Sequence, residues 1–181
     1  MRLGSLALLV IVAIVAATLP CAAAYNTDAE NGGDGKIHYD VRAGVAFNSG
    51  DLPDSSQPFI GAEVEYPASK MITEATGYVN LTLDYMQVNS VAGDVNLVPI
   101  IIGVKSRNVD ERSTLYFSGG VGLSLASDDI PEMRLKDGTN FAWQLFVGAE
   151  LKSGIFLEGR FLAGPHPGDD GMTLVALGYR F

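Results

Sequence analysis

The chain has 181 residues, a formal net charge of -9 and only 18% charged residues, below the ~25% of ordinary soluble domains. Its length allows one domain with a sizeable core, and its acidic balance excludes a nucleic-acid binder, which needs clustered Lys and Arg. One cysteine and two histidines exclude a disulfide framework and leave too few ligands for a zinc site. Neither a cofactor nor a resident metal is expected.

The chain begins with a targeting segment. Arg2 is the only charge before Asp28, and Leu6 to Leu19 is an almost unbroken apolar run. Pro20, Cys21 and Ala22-Ala23-Ala24 follow before Tyr25. A basic start, a short apolar core and small residues at the exit describe a secretory signal peptide. Cleavage is expected after Ala24, with Ala22 and Ala24 as the small exit residues. The run is too short for a membrane helix, which takes ~20 apolar residues. Pro20 before Cys21 argues against a lipidated cysteine, so the mature chain is acidic and free of cysteine. The domain plan is then a signal peptide over 1–24, a flexible lead-in over 25–36 and a single folded unit over 37–181. The lead-in is Gly-rich and acidic from Thr27 to Gly35.

Beyond the lead-in, alternation at period two repeats eight times, broken by Gly, Asp, Asn, Ser and Pro clusters. The first segment sets Tyr39, Val41, Ala43, Val45 and Phe47 against Asp40, Arg42, Gly44 and Ala46. The second sets Ile60, Ala62, Val64 and Tyr66 against Gly61, Glu63 and Glu65. In the third, Val79, Leu81, Leu83 and Tyr85 oppose Asn80, Thr82 and Asp84. In the fourth, Val98, Ile100, Ile102 and Val104 oppose Pro99, Ile101, Gly103 and Lys105. The fifth sets Leu115, Phe117, Gly119, Val121 and Leu123 against Tyr116, Ser118, Gly120 and Gly122. The sixth sets Phe141, Trp143, Leu145 and Val147 against Ala142, Gln144, Phe146, Gly148 and Glu150. Lys152-Ser153-Gly154 reads as a tight hairpin turn into the seventh segment, where Ile155, Leu157, Gly159 and Phe161 oppose Phe156, Glu158, Arg160 and Leu162. The last places Val175, Leu177, Tyr179 and Phe181 opposite Leu174, Ala176, Gly178 and Arg180.

Eight antiparallel strands of about nine residues predict an all-β, closed up-and-down barrel, since tilted strands cross a bilayer in ~9–11 residues. Alternation alone also fits a soluble barrel with its apolar face inward. Two features decide between them. The polar face carries Gly44, Gly61, Gly103, Gly120, Gly122, Gly148 and Gly178, and small residues suit a crowded eight-stranded interior. Aromatics at segment ends, including Tyr39, Phe47, Tyr66, Tyr85, Phe141 and Tyr179, lie on the apolar face, as an interfacial girdle requires. The polar face therefore points inward and the apolar face to lipid.

The lumen then holds Asp40, Arg42, Glu63, Glu65, Asp84, Lys105, Glu150, Glu158, Arg160 and Arg180. Charges there are tolerable only when paired, because desolvation costs several kcal/mol each. An ion-pair network, with Tyr116, Phe146 and Phe156, is expected to fill the interior and leave no wide pore.

With this pattern the chain resembles the small eight-stranded outer-membrane β-barrel proteins of the OmpA, OmpX and OmpW type, over essentially all of residues 37–181. The terminus Val175-Ala176-Leu177-Gly178-Tyr179-Arg180-Phe181 is the most specific match. A final Phe with apolar residues at alternate positions resembles the signal read by the outer-membrane assembly machinery, here Val175, Leu177, Tyr179 and Phe181. The resemblance implies a monomer in the outer membrane of a Gram-negative bacterium, surrounded by lipid and lipopolysaccharide, with both termini in the periplasm. Outer loops would fall at 48–58, 87–96, 125–140 and 164–172, and inner turns at 67–77, 106–113 and 152–154.

The outer loops are acidic, with Asp51, Asp54, Asp94, Asp128, Asp129, Glu132, Asp137, Asp169 and Asp170. Their spacing matches no calcium loop, and solvated acidic loops are expected. Some barrels of this group modify lipid A, and a deacylase of that kind resembles a His-x-Ser pair on the outer wall. His38 precedes Tyr39-Asp40 and His166 precedes Pro167-Gly168, so neither carries that pair and no enzyme is expected. The sequence thus points to a structural or surface-interaction role through the loops. A narrow channel for small or hydrophobic solutes and a soluble exported ligand-binding barrel are the alternatives.

Overall fold

A computed structural model describes residues 36–48, 56–68, 76–90, 93–109, 113–130, 136–164 and 171–181. The expected signal peptide, with Ala22 and Ala24, and nearly all of the lead-in lie outside the described residues. Eight strands are present: β1 (His38–Asn48), β2 (Ser56–Pro67), β3 (Thr76–Ser90), β4 (Gly93–Val109), β5 (Ser113–Ala126), β6 (Gly138–Leu151), β7 (Ile155–Ala163) and β8 (Gly171–Arg180). Each pairs antiparallel with the next and β8 returns to β1, closing an up-and-down barrel.

All strands except the nine-residue β7 are longer than the expected nine residues, reaching 17 in β4. The loop expected over 87–96 is mostly strand, because β3 runs to Ser90 and β4 starts at Gly93. Gln87, Asp94 and Asn96 imitate loop chemistry in sequence. Their strands continue past the apolar band, where a polar outward residue meets water and costs nothing. The turn expected at 152–154 is present: the Gly154 amide donates to the Leu151 carbonyl at 2.9 Å. Gly154 has φ of 84°, and a Cβ there would approach the Arg180 carbonyl oxygen to 2.7 Å, so glycine is required on both counts.

The two faces separate as the alternation predicts. Leu81, Ile102, Phe117, Leu145, Val147, Leu157 and Leu177 are among the large apolar side chains exposed on the outside. On β5 the outward apolar run from Leu115 to Leu125 rises ~24 Å at ~3.4 Å per residue and ~45° tilt. That matches the ~25 Å apolar band of a membrane barrel. Inside, glycines sit beneath aromatic rings. Gly148 pairs with Tyr116 and Gly178 with Phe156. A Cβ on either glycine would fall within 2.3 Å or 2.1 Å of that ring.

Candidate functional site

The interior is graded along the barrel axis, and each strand carries the gradient in its inward series. On β4 this runs Val95, Leu97, Pro99, Ile101, Gly103, Lys105, Arg107; on β2 it runs Gln57, Phe59, Gly61, Glu63, Glu65. On β8 it runs Met172, Leu174, Ala176, Gly178, Arg180. Charges gather at the end holding the chain terminus and the 152–154 turn, and apolar residues at the other.

All ten predicted lumen residues meet in the charged tier. Asp40 and Arg180 face each other across the β1–β8 closure, and Arg180 donates twice to Asp40, each at 2.8 Å. Glu65 accepts from Arg107 at 3.0 Å and also from Lys105 and Arg180. Glu150 accepts from Arg107 and lies 3.2 Å from Arg180. One level up, Arg42 donates to Asp84 from Nε at 3.0 Å and Nη2 at 2.9 Å. Arg160 reaches Asp84 at 3.3 Å, Glu63 at 3.2 Å and Glu158. Glu63 further accepts from Lys105 at 2.5 Å and Thr82 at 3.0 Å. Multiple charge-assisted bonds of this kind are what make buried charge tolerable.

Aromatic rings complete this tier. Lys105 Nζ lies 4.3 Å from the Tyr116 ring centre, and the Arg160 guanidinium lies 4.3 Å from that of Phe146. The Tyr116 hydroxyl donates to Glu158. Carboxylate oxygens of Asp40, Glu63 and Glu65 lie close enough together to hold a metal ion, but the Lys105 ammonium contacts all three and supplies the cation itself.

Sequence reasoning missed Arg107, buried and paired with Glu65 and Glu150. It lies one further period-two step beyond Lys105, so carrying the alternation two residues on would have found it. The expectation that ions and three aromatics fill the whole lumen is corrected by the second tier. At the end away from the chain terminus Phe59, Met86, Val88, Val95, Leu97, Ile101, Met172 and Leu174 form an apolar cluster. Ile130, from the segment between β5 and β6, joins the cluster with no exposed surface. That segment is braced by the Asp137 amide donating to Asp129 at 2.8 Å and the Lys136 amide donating to Asn140 at 2.8 Å.

The remaining predicted residues are spread out. His38 packs edge-on against Tyr78 with ring centres 5.8 Å apart, at the charged end. Asp94 and Asp128 are exposed at the opposite end, while Asp51, Asp54, Glu132, His166, Asp169 and Asp170 lie outside the described residues. Val175, Leu177, Tyr179 and Phe181 all face outward, and the Phe181 amide donates to the Tyr39 carbonyl at 2.9 Å.

No protein-family profile matches the sequence, and no curated protein matches it. Solved structures do match. The outer-membrane enzyme PagL is similar with a TM-score of 0.60 and 15% identity, over 78% of this chain and 98% of that one. Neisserial surface protein A is similar with a TM-score of 0.56 and 15% identity, over 80% of this chain and 95% of that one. The fold is that of the small outer-membrane β-barrels. This barrel shares their closed eight-stranded architecture, and at 15% identity the likeness extends to the fold alone.

Proposed function

We propose that the protein is a non-enzymatic integral outer-membrane barrel that braces the envelope and presents its outer loops for surface interaction. The observation carrying this reading is a continuous apolar belt wrapped around an interior of buried, mutually paired charges. Such a surface is stable only against lipid, since a water-facing barrel of this size would not expose so many large apolar side chains. The shared fold with outer-membrane proteins supports the location. The outward series ending in Phe181 supports recognition by the outer-membrane assembly machinery. In this reading both termini are periplasmic, the acidic segments face outward beside lipopolysaccharide, and the barrel works as a monomer.

The two-tiered interior favours a solid barrel over a conducting one. In the charged tier, Arg42 and Arg160 cross the lumen to Asp84 and Glu63, and Ile130 packs into the apolar tier above. The non-enzymatic reading is supported by the tying of the interior carboxylates to Arg and Lys and by the lack of a His-x-Ser pair in the sequence. Membrane fractionation tests the location: the protein should stay in the membrane after carbonate washing and show heat-modifiable migration on gels. Release into the soluble fraction overturns the membrane reading. In planar bilayers no steady single-channel current is expected, and a reproducible current overturns the solid-barrel reading. Lipid A recovered after incubation with the purified barrel should keep its mass, and a mass change overturns the non-enzymatic one.

A further inference from the structure

We draw no further inference here: the strongest candidate, the buried carboxylate cluster of Asp40, Glu63 and Glu65 in the charged tier, is already occupied by the Lys105 ammonium that contacts all three and so belongs to the ion-pair site already described.

Discussion

Replacing Lys105 with methionine tests whether the charged tier holds the barrel together. The Lys105 ammonium lies 2.5 Å from Glu63, contacts Glu65 and stands 3.8 Å from Asp40. Methionine keeps much of the apolar stem, so the loss is ionic rather than a cavity. Breaking a buried ion pair by removing one partner costs ~3–5 kcal/mol. Here Glu63 keeps Arg42 and Arg160, and Glu65 keeps Arg107 and Arg180, which pulls the ionic part towards the lower end. Loss of the ammonium over the Tyr116 ring adds ~0.5–2 kcal/mol. The expected total is ~3–5 kcal/mol. Adding Glu65→Gln removes the excess negative charge. The double variant should therefore be more stable than the two single effects summed, by ~1–2 kcal/mol. Urea unfolding in lipid vesicles, followed by Trp143 fluorescence and by gel migration, measures all three variants. A loss below ~1 kcal/mol for Lys105→Met, or strict additivity with Glu65→Gln, would refute the claim that paired charge stabilises this interior.

Two further expectations concern glycine and the terminus. Gly178→Ala puts a Cβ 2.1 Å from the Phe156 ring and 2.6 Å from the Val41 carbonyl oxygen, an overpacking that should cost ~1–3 kcal/mol. Gly159→Ala, on the lipid face with nothing within 4 Å, should be neutral or stabilising by up to ~1 kcal/mol, as read from the same unfolding curves. Deleting Phe181 removes the final outward aromatic and its bond to Tyr39. It should lower the amount recovered in the outer-membrane fraction far more than Asp128→Ala does, and equal recovery would count against the terminal signal.

Period-two alternation carries the side of the wall on which a residue stands, and eight repeats of it carry the barrel. Height along the axis is a separate coordinate, invisible until the strand directions are known. Once they are, Val95 and Leu97 stand at the far end of the series that finishes in Lys105 and Arg107, and Met172 and Leu174 at the far end of the one that finishes in Arg180. The same ignorance of height made Gln87 and Asp94 look like loop residues. The ion-pair residues themselves were readable because a charge on the inward face has few places to go. Their partners were not, since Arg160 meets Glu63 across 97 positions of sequence.

The Asp40–Arg180 pair joins two residues 140 positions apart, one on the first strand and one on the last. Until β8 reaches β1, an assembling sheet carries Asp40 without its two bonds from Arg180, and Glu65 without one of its three cations. A nearly finished barrel entering lipid would thus expose charge along the same edge that exposes unpaired backbone. Both deficits are removed in a single event, when the last strand docks. Insertion of this chain should therefore pass from open sheet to sealed cylinder with no long-lived stage between, its final strand acting as an electrostatic zip fastener.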